Sequence, residues 1–132
     1  IDFIVPVFAV PGDSEEERAQ LLHRAKTQIA FYGSTPNYHF QWDDLGFDGM
    51  TQKMGELLRT GDTDAMAAEI TDEMLEHYAV VARWDDMADK LIARYDGFAS
   101  RVVMYLGQDD VFTDSKRLCK WGEIAKAVRA GA

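Results

Sequence analysis

The chain has 132 residues, 47% of them hydrophobic and 28% charged, with a formal net charge of −9. That is the length of one compact domain with a real core, and it is too short for a closed eight-stranded α/β barrel, which takes about 250 residues. So acidic a surface repels phosphate backbones and anionic lipid, which argues against nucleic acid and membranes as partners, and no apolar run approaches the roughly 20 residues of a membrane-spanning helix.

Residues 1–10 carry no basic segment before their apolar stretch and read as a strand rather than a signal peptide. The first residue is not Met, which points to a start inside a longer reading frame. Phe3-Ile4-Val5-Pro6-Val7-Phe8-Ala9-Val10 is almost unbroken apolar sequence, as in a parallel strand covered on both faces. Pro6 cannot donate to a ladder, so a bulge or an unpaired position is expected there. Pro11-Gly12-Asp13 turns the chain into Ser14-Glu15-Glu16-Glu17, a capping box with Ser14 as N-cap and Glu17 three residues on. The three glutamates also suit the positive end of a helix dipole.

Leu22, Ala25, Ile29 and Tyr32 then fall at helical spacing as one buried stripe, with Gly33 as a positive-φ terminator and Pro36 beyond it. Residues 37–49 lack a period and read as an ordered loop. Met50, Met54, Leu57 and Leu58 mark a second helix that Gly61 stops. Residues 62–70 make a third with Met66 and Ile70 inward, and Thr71 or Asp72 caps a fourth containing Met74, Leu75 and Tyr78. Ala79-Val80-Val81-Ala82 is apolar and is read as non-strand. A fifth helix starts near Asp85, with Ala88, Leu91, Ile92 and Tyr95 inward and Gly97 past its end. Arg101-Val102-Val103-Met104-Tyr105-Leu106 is the second strand, and residues 116–130 form a last helix burying Leu118, Trp121, Ala125 and Val128. The expected fold is therefore a helix-rich α/β single domain over residues 1–132. Its two parallel strands are about 90 residues apart, far beyond a simple βαβ unit, so the crossover must carry a helical excursion.

Chemical motifs are sparse. His23, His39 and His77 have no metal-ligand spacing to one another or to Cys119, so no metal site is expected. His23 sits one residue off the buried stripe and reads as structural or exposed. Cys119 has no partner for an internal disulfide and reads as a bystander thiol of a cytoplasmic protein. Asp43-Asp44 and Asp109-Asp110 read as solvated pairs. Tyr32-Gly33-Ser34-Thr35-Pro36-Asn37-Tyr38 supports two readings: a packed helix end with Tyr32 inward, or a ligand cleft lined by Tyr32, Tyr38 and His39. Trp121 is expected in the core, Trp84 as a staple before a helix, and Trp42 partly exposed at a site or subunit contact.

Two segments, Gln28-Ile29-Ala30-Phe31-Tyr32-Gly33-Ser34-Thr35-Pro36-Asn37-Tyr38 and Ile70-Thr71-Asp72-Glu73-Met74-Leu75-Glu76-His77-Tyr78-Ala79-Val80-Val81, together resemble the C-terminal third of the luciferase-like oxidoreductases. The likeness is to the branch that uses coenzyme F420, with FMN as the alternative. It implies the C-terminal portion of a TIM (β/α)8 barrel, with the two strands as the seventh and eighth. Their C-terminal ends would then face the cofactor, making Phe8, Tyr105 and Gln108 cofactor-binding and Tyr32, Tyr38 and His39 substrate-binding. The implied parent reaction is hydride transfer between the deazaflavin and a small organic substrate. The isolated chain is expected to be inactive and to pair as a homo-oligomer or with a complementing chain. No catalytic residue carries over. The family usually has a glycine soon after the segment matching Ala79-Val80-Val81, where this chain has Ala82-Arg83-Trp84. The competing class is a non-enzymatic helical assembly domain derived from such a barrel.

Overall fold

The computed structural model describes residues 2–131 without the side chains of Asp109 and Val111. Position 1 of the first strand and the Asp109 half of the acidic pair thus lie outside the described residues. The elements in order are β1 (Ile4–Pro11), α1 (Glu15–Gly33), a 3-10 turn (Pro36–Tyr38), α2 (Phe40–Asp43), α3 (Met50–Thr60), α4 (Thr63–Ala68), α5 (Asp72–Tyr78), β2 (Ala79–Ala82), α6 (Met87–Tyr95), β3 (Arg101–Met104), a second 3-10 turn (Tyr105–Asp109), α7 (Asp110–Thr113) and α8 (Ser115–Gly131). They fall into two compact units, one made of Ile1–Leu21 with Tyr78–Ala132 and the other of Leu22–His77.

The first unit holds a parallel sheet in the order β2-β1-β3. The pairing of β1 with β3 is the one expected from the sequence. The third strand, β2, corrects the reading of Ala79-Val80-Val81-Ala82 as non-strand: it lies in register with residues 8–11 on the other edge of β1. Pro6 is placed without loss. The Phe3 carbonyl accepts from the Arg101 amide at 3.2 Å, so odd-numbered residues of β1 aim their backbone groups at β3 and even-numbered ones away from it. On that far side β2 begins only opposite Phe8, and Pro6 needs no donor there.

Side chains alternate across the sheet, and its two faces differ sharply. Val7 and Ala9 are buried. Val102 and Met104, in register with Val5 and Val7, line a cleft of ≈ 510 Å³ with Leu91 of α6 and Val128 of α8. Helices therefore cover the odd-numbered face. On the even-numbered face Ile4 is 51% and Val103 45% exposed, whereas Val10 and Ala79, toward the other end of that face, are buried.

Several local expectations hold. Ser14 Oγ accepts from the Glu17 amide at 3.1 Å, and Glu17 Oε2 reaches back to the Asp13 amide at 2.7 Å, one residue further than the usual box. Gly61 and Gly97 take φ of 74° and 71° just past α3 and α6. Thr71 Oγ1 accepts from the Met74 amide at 3.2 Å to cap α5.

The second unit is all helical and corrects four readings. The 37–49 stretch contains a 3-10 turn and α2 rather than plain loop. Gly33 is the last residue of α1 and is not among the positive-φ glycines. A Cβ on it would overlap the Trp42 ring, so its glycine serves close packing instead. Trp42, expected at the surface, is only 1% exposed and donates from Nε1 to the Gly33 carbonyl at 3.2 Å. Tyr32, expected inward, is 43% exposed. As expected, Ala25 and Ile29 of α1 are buried, and so are Met50, Met54, Met66, Ile70, Met74 and Leu75; Trp42 joins them in the unit's core. In the first unit Leu118 is likewise exposed, while Trp121 is buried as expected.

Candidate functional site

At the C-terminal end of β1 and β2 the chain builds a dense aromatic and charged cluster. The Gly12 amide donates to the Ala82 carbonyl at 3.0 Å, and the Trp84 amide donates to Asp13 Oδ1 at 3.3 Å. Trp84 and Trp121 meet edge to face with centroids 5.4 Å apart. Arg117 and Lys120 lie over the Trp84 ring at 5.1 and 5.0 Å, a favourable cation–π geometry. Each indole N–H is taken by a carboxylate, Trp84 by Glu17 and Trp121 by Asp110, both at 2.6 Å. Arg117 bonds Asp110 at 3.1 Å and approaches Glu17 at 3.5 Å. The amide of Asp13 and the indole of Trp84 hold the Glu17 carboxyl below its ordinary range; burial opposes them, and Lys120 and Arg117 add to the lowering. With its polar groups paired to one another, this cluster is a clamp tying the strand ends to α8. Among the described residues no non-glycine has positive φ, so the turn at Ala82-Arg83-Trp84 needs no glycine.

Of the expected cofactor residues, Phe8 and Tyr105 come together, edge to face at 5.5 Å. Phe8 belongs to the even-numbered face of the sheet, and both rings are half-buried. Gln108 is exposed on the second 3-10 turn. Sequence reasoning missed the Trp84 clamp because its carboxylates come from residues 17 and 110, far from Trp84 in sequence.

The expected substrate residues lie in the second unit, and of the three only His39 lines its groove. Tyr32 and Tyr38 stand exposed on the surface, and the Tyr32 ring meets Phe31 at 5.8 Å. His39 lines a groove of ≈ 690 Å³ between α3 and residues 34–43. Its Nδ1 pairs with Asp43 Oδ2 at 2.8 Å. His23 is exposed and pairs with Asp64 at 3.2 Å. Among the described residues, no three His, Cys, Asp or Glu side chains gather where they could hold a metal ion. Among the described residues no helix is long and apolar enough to cross a membrane.

A small parallel sheet with helices packed on one face, and with Ile4 and Val103 exposed on the other, is compatible with part of an α/β barrel. Residues 1–101 match the family of luciferase-like monooxygenases, and the chain belongs to that family. Curated relatives include an uncharacterized protein of Mycobacterium bovis and two of Mycobacterium tuberculosis strains, each 35% identical to this chain over 97 residues. Those alignments cover 74% of this chain and 28% of each relative, so the chain spans less than a third of the length of the curated proteins it matches. No solved structure gives a significant match.

Proposed function

We propose that this chain is the C-terminal part of a luciferase-like oxidoreductase that passes a hydride between a deazaflavin, or less favourably a flavin, and a small organic substrate. The observation that carries this reading is the asymmetry of the sheet. Helices α6 and α8 dress one face, while Ile4 and Val103 stand about half exposed on the other, as the lumen side of a barrel wall does before its remaining strands are added. On this reading β1 and β3 are the seventh and eighth strands.

Phe8 and Tyr105 suit a flat ring: two half-buried aromatic rings at 5.5 Å form an apolar edge. Coenzyme F420 or FMN supplies the hydride-carrying ring when bound; this chain's part is to position that ring and keep water from one side of it. Gln108 is assigned to the rim. The phosphate end of either cofactor is assigned to residues beyond this chain, because Arg117 and Lys120 are committed to Glu17, Asp110 and Trp84. Tyr32, Tyr38 and His39 are assigned to the substrate side. The partners proposed are a complementing chain or further copies of this one, in the cytoplasm, with neither nucleic acid nor membrane involved.

The test mixes the chain with the N-terminal remainder of a mycobacterial relative and follows F420 and FMN fluorescence. The chain by itself is expected to leave the fluorescence unchanged, and the mixture to quench it and turn over. Micromolar binding by the chain alone would move the whole cofactor site onto Phe8, Tyr105 and Gln108. A stable complex that binds neither cofactor favours the assembly-domain reading, which the exposed Ile4 and Val103 also suit.

A further inference from the structure

We infer that the groove along α3 is a binding site for a small organic carboxylate with an apolar body. The site lies wholly within Leu22–His77 and does not rest on the redox reading. Its ≈ 690 Å³ falls inside the usual range of small-molecule sites. Thr51, Gly55 and Leu58 form one wall at i, i+4 and i+7 of α3, and Pro36 and His39 belong to the other.

The groove is rich in donors that the protein itself leaves unused. Thr51 Oγ1 is buried with no hydrogen-bond partner among the described residues. Arg59 spends its Nε on the Gly55 carbonyl at 3.2 Å, and its terminal nitrogens have no partner among the described residues. At the start of α3, Gly49 offers no capping side chain and the first turn holds no acid; Met50 donates to the Phe47 carbonyl at 3.4 Å, which leaves the Thr51 and Gln52 amides wanting an acceptor. The one carboxylate in the lining, Asp43, is taken up by His39 at 2.8 Å.

Unspent donors beside one acid already hydrogen-bonded to His39 select an anion. A carboxylate matches best, since its two oxygens can take a guanidinium in parallel or divide between a hydroxyl and an amide. Pro36, Leu58 and the glycine backbone give the remaining wall an apolar character that a bare inorganic anion would leave uncovered. Threonine in a helix divides between two χ1 rotamers. Turning Oγ1 into the groove breaks no existing hydrogen bond.

The experiment titrates benzoate into the isotope-labelled full chain and follows its amide resonances, with benzamide as the uncharged control. Saturable shifts are expected at Ser34, Thr51, Gly55 and Arg59, with benzamide at least about tenfold weaker. Arg59→Gln, a surface change that leaves the fold intact, is expected to weaken benzoate about tenfold, and Thr51→Val by a smaller factor. Lys116→Gln, in the other unit, should leave the affinity unchanged. Shifts that never saturate, equal binding of benzamide, or an Arg59→Gln chain that binds benzoate as before would each overturn the assignment.

Discussion

The two units of this chain solve the problem of burial in different ways. The sheet unit, Ile1–Leu21 with Tyr78–Ala132, is held by directional bonds. Two indole N–H groups, two carboxylates and two cations lock β1, β2 and α8 together. The helical unit, Leu22–His77, relies on shape: four methionines, Met50, Met54, Met66 and Met74, are buried in it along with Trp42. Methionine's flexible thioether adapts to irregular gaps between short helices, where a parallel sheet imposes its own spacing. The two units also differ in what they leave exposed. The helical unit shows aromatic side chains, Phe31, Tyr32, Tyr38 and Phe40 among them, whereas the sheet unit leaves Ile4 and Val103 open on one face of its sheet.

The sharpest way to break this comparison is Trp84→Ala. It removes the Trp121 contact, the Glu17 hydrogen bond and two cation–π partners together. A loss of about 3–5 kcal/mol is expected from truncating a buried aromatic. Amide hydrogen exchange is expected to show the protection lost in the sheet unit first. Equal loss of protection across Leu22–His77 would mean that the two units do not differ as described.

The counterpart in the helical unit is Gly33→Ala. The new methyl would overlap the Trp42 ring, and overpacking of this kind costs about 1–3 kcal/mol. Denaturant unfolding monitored by tryptophan fluorescence should register it. A neutral result would show that Trp42 can move aside, and that shape matters less in this unit than its packing implies.

Glu17 gives the comparison a pH dependence. Its folded carboxyl lies below its ordinary range, chiefly through the Asp13 amide and then the Trp84 indole. A lowered folded value means that its stabilisation is complete above the ordinary carboxylate range and is lost as pH falls through the folded value. Glu17→Gln should cost about 1 kcal/mol near neutrality and flatten the acid side of the Tm profile. An unchanged acid limb would remove Glu17 from the clamp.

The smallest effect is expected at Tyr32. With 43% of its surface exposed, Tyr32→Ala should cost about 1 kcal/mol or less, since large losses come from buried positions. A loss near the 3–5 kcal/mol of a core aromatic would restore the inward reading of the α1 stripe. Tyr32→Phe that keeps stability but lowers turnover in a complemented enzyme would point to a hydroxyl on the substrate side.

The sequence by itself determined what is local. Ser14 and Glu17 start α1, Gly61 and Gly97 end their helices, and Thr71 caps α5, because each of these bonds closes within a few residues of its own chain. The family resemblance was legible for a related reason, as two continuous segments carried it. Tertiary structure decided the rest. Ala79-Val80-Val81-Ala82 follows α5 without a break, and four apolar residues fit a buried helix end as well as a strand. Pairing with Phe8, Ala9, Val10 and Pro11 settles the matter. Gly33 carries the composition of a helix terminator, yet its role comes from Trp42, nine residues on, pressing against it. Glu17, Trp84, Asp110 and Trp121 meet although 104 positions separate the first from the last. The groove at His39 likewise needs α3 laid beside the 34–43 segment. Spacing reports which face of an element is apolar; which distant face it meets is fixed only when the chain closes on itself and each buried polar group must find its partner.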